Sequence, residues 1–266
     1  SLGKGTHQIV RKIGIKKVAR KASKVAKFDS DETKVRFEEN IQHWPLGAGK
    51  GFMLNDTESM AQPSFIADVI AQHNLRLFCA HPEDPIVPLV REFYANLTDP
   101  EEDTVYVGGV QVPLSEKAIN AIFGLGDPVD EHSEFVEAIT ELELLTVLKT
   151  VAVARAESNV SSHSAYTCIR SSLNQAAKIW YHFLESRLLP TTHGKIVSKY
   201  CVLLLYSILT GKSINVGRII YDEIYTHAAR RSGALFFPSS VTKLCQNARA
   251  PYLVRRNHII RGRLMP

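Results

Sequence analysis

The run Tyr200-Cys201-Val202-Leu203-Leu204-Leu205-Tyr206-Ser207-Ile208-Leu209 is apolar on every side of a helix. Such a segment belongs in a protein interior or in a membrane. A spanning helix needs about 20 apolar residues, so this one is too short, and it reads as the axis of a core. Its flanks agree. Ser172-Leu173-Asn174-Gln175 has the form of a capping box, followed by a helical stripe of Ala176, Ile179, Trp180, Phe183, Leu184 and Leu188 that Pro190 ends. Gly211 suits a left-handed helix stop. Asn215 can cap the next helix, whose inner stripe is Val216, Ile219, Ile220 and Ile224. Arg230, Arg231 and Gly233 suit its end. Pro238 opens a last helix with Val241, Leu244, Cys245 and Ala248 inward.

Upstream, the spacing predicts a short helix from Pro63 to Gln72 with Phe65, Ile66, Val69 and Ile70 inward. A second follows Pro85 or Pro88, with Val90, Phe93, Tyr94 and Leu97 inward. The period then changes: residues 105–112 alternate around Gly108-Gly109, the mark of a two-residue hairpin turn. Ser115 caps a helix carrying Ala118, Ile119 and Ile122, stopped by Gly124. The strand–turn–strand–helix order is that of part of a winged helix. A base-reading helix needs exposed Arg, Lys, Asn or Gln, however, and Glu116, Lys117 and Asn120 are a poor set. Thr140-Glu141-Leu142-Glu143 is another capping box, with Leu144, Leu145, Leu148, Val151 and Ala152 as its stripe. The Ser-rich stretch 158–164 reads as a hinge loop.

The expected architecture is therefore mainly α: a helical bundle in two packed lobes with one small β-hairpin near residues 105–112. The divisions are a flexible basic arm (1–28), an N-terminal helical lobe with the hairpin (29–157), a C-terminal helical bundle (165–248) and a basic tail (249–266). A chain of 266 residues with 45% hydrophobic content can bury such a core.

Charge is segregated along this plan. Residues 1–27 hold nine Lys/Arg and no acid, and residues 249–266 hold five Arg and no acid. The remaining 18 basic and 27 acidic residues leave the body near −9, although the whole chain is +5. Basic ends on an acidic body suit contact with nucleic acid or an anionic surface. In a helical arm, Val18, Ala22 and Val25 would share one face and Lys12, Lys16, Arg20 and Lys24 another, though Gly3, Gly5 and Gly14 weaken it. The candidate nucleic-acid-binding residues are Arg11, Lys12, Lys16, Lys17, Arg20, Lys21, Lys24, Arg255, Arg256, Arg261 and Arg263. No apolar signal-peptide region follows the basic start. An intracellular location is expected, nuclear in preference to cytoplasmic.

Tests for chemistry fail one after another. Cys79, Cys168, Cys201 and Cys245 have no zinc-like spacing and read as buried reduced thiols. Gly49-Lys50 and Gly211-Lys212-Ser213 mimic part of a P-loop, but Trp44 and Tyr206 occupy the first glycine's place. Both read as turns. The acidic turn 99–103 reads as solvated. An aspartic-protease motif is missing at Asp56-Thr57-Glu58. Tyr221-Asp222-Glu223 falls on a predicted helix, not on a polymerase hairpin, and Asp222 should pair with Arg218. His182 lies between core positions, His227 near a helix end, and His193 in a turn. Cys201, on the apolar helix, is a poor partner for it because a thiolate there is costly. No catalytic residue, cofactor or metal is expected.

Several phrases in order resemble a known family. They are Leu89-Val90-Arg91-Glu92-Phe93-Tyr94-Ala95-Asn96-Leu97, the 107–112 hairpin with Ser115 and Ile119-Asn120, and Ala177-Lys178-Ile179-Trp180. Then come Arg187-Leu188-Leu189-Pro190-Thr191-Thr192-His193, residues 203–212, Ile214-Asn215-Val216-Gly217, and Phe236-Phe237-Pro238-Ser239 with Leu244-Cys245. Together they resemble the plant transposon protein domain family of retroelement-related reading frames, over roughly 35–251. The chain departs from its usual pattern at Asn74-Leu75-Arg76-Leu77, where a Trp is common, and at Arg249-Ala250-Pro251. The resemblance implies a retroelement origin and brings no catalytic residues with it. Two functions stay open ahead of a third and least favoured one, a hydrolase or nuclease with an unfamiliar site: nucleic-acid binding through the basic arms, and a protein-interaction or self-assembly module like a capsid domain. Either would work at the polar margins: 191–195, 212–218 and the arms.

Overall fold

In the computed structural model, the described residues are 27–47, 49–51, 64–98, 103–153, 159–160, 166–190, 195–230 and 233–252. The elements run α1 (Asp31–Arg36, continued by a π-helical turn Phe37–Ile41), α2 (Ser64–Gln72), α3 (Arg76–Cys79) and α4 (Val87–Asn96). The hairpin β1 (Thr104–Val107) and β2 (Val110–Pro113) comes next, then α5 (Glu116–Ile122), α6 (Glu131–Ala138) and α7 (Glu141–Val151). Strands β3 (Asn159–Val160) and β4 (Tyr166–Ile169) precede α8 (Gln175–Arg187). After β5 (Ile196–Val197) come α9 (Lys199–Thr210), α10 (Val216–Ala228) and α11 (Pro238–Asn247). The protein is mainly helical, as expected.

The apolar run is α9. The Ser198 hydroxyl accepts from the Cys201 N–H at its start, and Gly211, at φ 77°, ends it. Residues Cys201 to Leu205, Ser207 and Ile208 are buried. Around it pack α6, α7, α8 and β4. A second group, α4, α5, α10 and α11, carries the hairpin: α5 lies on α10, and α11 on both α4 and α5. Segments 29–157 and 165–248 thus meet through one continuous apolar core.

That hairpin has the anticipated register, Val105 opposite Val112 and Val107 opposite Val110. Gly108 and Gly109, at φ 60° and 88°, make the turn. Two polar residues of α4 hold it. The buried Glu92 accepts from the Gly108 N–H at 2.6 Å, and Asn96 donates to the Tyr106 carbonyl at 2.7 Å. Such residues on the inner side of a helix are tolerated because each has a partner.

Four local expectations need correction. Helix α8 is capped by Asn174, not Ser172, which lies in a 3₁₀ turn. Its inner face is also offset from the expected stripe: Ala177 and Tyr181 are buried and Ala176 is not. On α7, Val147 takes an inward place and Leu145 is 49% exposed. Within the supposed loop 158–164, Asn159–Val160 pairs with β4, making a three-stranded sheet β3-β4-β5. Two-residue strands are too short for alternation to register in a sequence. Finally, Arg218 makes its close ion pair with Asp130 of the α6 cap (3.8 Å), and acts on Asp222 only through its charge at longer range.

Candidate functional site

The eleven arm and tail residues expected to meet nucleic acid, Arg11 through Lys24 and Arg255 through Arg263, lie outside the described residues, as does His193. Of the other margins, the structure describes 212–218 and Lys195. The 212–218 margin is used in packing. Ser213 donates its N–H and hydroxyl to Glu131, and Asn215 caps α10 while donating to Glu116 at 2.8 Å. Lys212 sits over the Phe135 ring.

The nucleophile candidates are buried. All four cysteines are free thiols inside the core. Burial pushes Cys79, Cys201 and Cys245 up to about 12, which keeps them protonated and unreactive. His132 is 1% exposed, its Nδ1 lies 2.9 Å from the Ser207 hydroxyl, and burial lowers it to about 4. His227, also buried, stands 3.2 Å from Glu223 one turn earlier on α10. Among the described residues no group of three or more His, Cys, Asp or Glu is arranged to hold a metal ion. Nor is any helix long and apolar enough to cross a membrane.

A different arrangement appears beside the 191–195 margin. The β4 strand ends at Ile169 and turns through Arg170 toward α8, while Lys195 leads into β5. The Arg170 N–H donates to the Lys195 carbonyl at 3.0 Å, tying the two cations to one strand pair. Lys178 and His182, one turn apart on α8, project outward because Ala177, Trp180, Tyr181 and Leu184 take the inner face. Arg170, Lys178, His182 and Lys195, with Ile169 and Ser171, line an open cleft of about 480 Å³. Arg170 is held in place: its guanidinium lies 5.5 Å from the Tyr181 ring centroid, 3.9 Å from Glu185 and 2.6 Å from His182 Nε2. A planar guanidinium fixed in this way is preorganised for a phosphate or carboxylate partner.

A second cleft, of about 640 Å³, opens beside it between α8, α9 and α10. Its apolar walls include Leu189, Ile196 and Tyr200, and its polar ones Glu185, Ser198, Glu223 and Arg230. Burial, together with Asp222, Asp130 and Glu223, holds the Tyr200 phenol up at about 12, so it stays neutral. Glu185 pairs with Arg170 on one side and lines this cleft on the other. The clefts are therefore adjacent and opposite in charge.

Of the basic cleft, only the position of Lys195 beside a polar margin was readable in the sequence. Arg170 comes from beyond the Ser-rich stretch, and the strand pairing that brings it to Lys195 left no periodic signal. Lys178 and His182 carried the usual sign of a solvated helix face, which is silent about what stands opposite.

Searches of curated proteins and of solved structures find no match to the chain. A family model does match, over residues 71–251, from α2 through the end of the described C-terminal segment. The matched span contains both clefts, the hairpin and the packed core except for Ile41, Ile66, Val69 and Ile70 upstream of it. The chain belongs to the family described as Putative plant retrotransposon-related domain.

Proposed function

We propose that this retrotransposon-related chain is a non-catalytic module that binds nucleic acid through phosphate contacts, at the basic cleft and along the basic arms. One observation carries the reading: Arg170, Lys178, His182 and Lys195 converge on a single cleft of a body whose net charge is near −9. Arg170, Lys178 and Lys195 are like charges that Glu185 offsets only in part, and an anionic ligand relieves the cost of gathering them. A nuclear location belongs to the same proposal, resting on the basic arms.

The test is affinity for DNA and RNA as a function of salt, with and without residues 1–27. Phosphate contacts release counterions, so the logarithm of the binding constant should fall linearly with the logarithm of salt concentration. Removing the arm should make that slope shallower. Binding indifferent to both salt and the arm would rule the proposal out.

A self-assembly reading has one observation of its own. Leu142 and Leu145 on α7 are 77% and 49% exposed and lie one turn apart. Light scattering that finds a strict monomer at high concentration would remove it.

A further inference from the structure

The two clefts flanking α8 are separated by one cross-strand pair. Ile169, in the basic cleft, and Ile196, in the second, are Cα partners of β4 and β5. Both isoleucines are exposed, 44% and 54%, and as directly opposed cross-strand partners they stand side by side on one face of the strand pair. Charge reverses across this short boundary, from the Arg170 guanidinium to the Glu185 carboxylate 3.9 Å away. A ligand covering both clefts must be anionic on one side and apolar, with donors at its rim, on the other.

A nucleotide has that shape, but only when its base is free to leave the stack. We propose that the ligand is single-stranded nucleic acid, seated with a backbone phosphate in the basic cleft and an unstacked base in the second cleft against Tyr200. This rests on the nucleic-acid reading above. In the second cleft the carboxylates of Glu185 and Glu223 outnumber the one cation, Arg230, which disfavours phosphate there, and they accept from the amino groups of a base edge. Tyr200 is half-exposed at this cleft, and its ring stands edge-on to His132 at 5.6 Å, which fixes the ring before a base arrives. Aromatic stacking beside a positively charged track is how sequence-tolerant single-strand binders work. A duplex keeps its bases paired and can offer only the phosphate.

The experiment uses the full chain and two probes: an oligodeoxycytidylate of about 20 nucleotides, whose bases carry the amino group that the carboxylates accept from, and a duplex of the same length, followed by fluorescence anisotropy. The strand should bind at least roughly 10-fold tighter than the duplex. Tyr200→Ala should weaken strand binding roughly 5- to 100-fold, the range of one base–aromatic stack, and leave the salt slope unchanged. Ile196→Ser, at an exposed position free of core packing, should weaken strand binding in the same direction if Tyr200→Ala disturbs folding. Equal affinity for strand and duplex, a preference for duplex, or strand affinity untouched in both variants overturns the base site. Loss of affinity for both probes even in the unaltered chain is a different result, and overturns the nucleic-acid reading itself.

Discussion

Asn120 on α5 accepts a hydrogen bond from the Gly217 N–H in the first turn of α10, at 2.8 Å, with both residues buried. The same side chain donates to Asn215, the cap of α10, at 2.8 Å. One amide thus serves both a first-turn N–H of α10 and the residue that caps it. Asn120→Ala should cost about 1–3 kcal/mol, since it leaves the buried Gly217 N–H unpaired. Urea denaturation measures it, and a loss below about 0.5 kcal/mol would show that the network relaxes.

Gly217 is constrained by the approach itself. A Cβ there would collide with the Glu116 carbonyl and stand 2.7 Å from the Asn120 side chain. Alanine has the better helix propensity, by about 1 kcal/mol, yet Gly217→Ala should be destabilising by about 1–3 kcal/mol because α5 must move off α10. A variant of unchanged or raised midpoint would contradict this packing.

His132 makes stability depend on pH. Its folded pKa, lowered to about 4 by burial, lies below the ordinary 6.5, so only the neutral ring fits the fold. Stability from this group is complete above pH 6.5 and is lost as pH falls toward 4. At pH 5 the loss should be roughly 2 kcal/mol. His132→Gln should flatten the stability profile between pH 7 and 5. An unchanged profile would assign the loss to other groups.

The four cysteines should resist a thiol reagent at pH 8 in the native state and react together on unfolding, because burial raises each thiol. Any native thiol reacting at the rate of a free peptide thiol would show that its segment opens.

The helices were legible where apolar periodicity and caps coincide, as in α9, α10, α11 and the Ser115 cap of α5. The hairpin was legible because Gly108-Gly109 interrupts strict alternation. The first helix was not: its capping box uses Thr33 in place of the usual Glu or Gln, and few apolar residues follow. Arg187 was also hidden. It reads as a surface cation at a helix end, yet it is buried with its guanidinium over Phe78 and Phe123 and donating to the Phe78 carbonyl. The basic cleft depends on the Ile169–Ile196 pairing, a long-range relation that no local pattern encodes.

The most direct measurement of the central claim is the salt dependence of single-strand binding in Lys178→Gln/Lys195→Gln against the unaltered chain. Each lysine that neutralises one phosphate adds about 0.7 to the slope of log K against log salt. The double variant should therefore bind more weakly, with a slope shallower by about 1.4. An identical slope and affinity in the two proteins would show that the cleft between β4, β5 and α8 holds no phosphate.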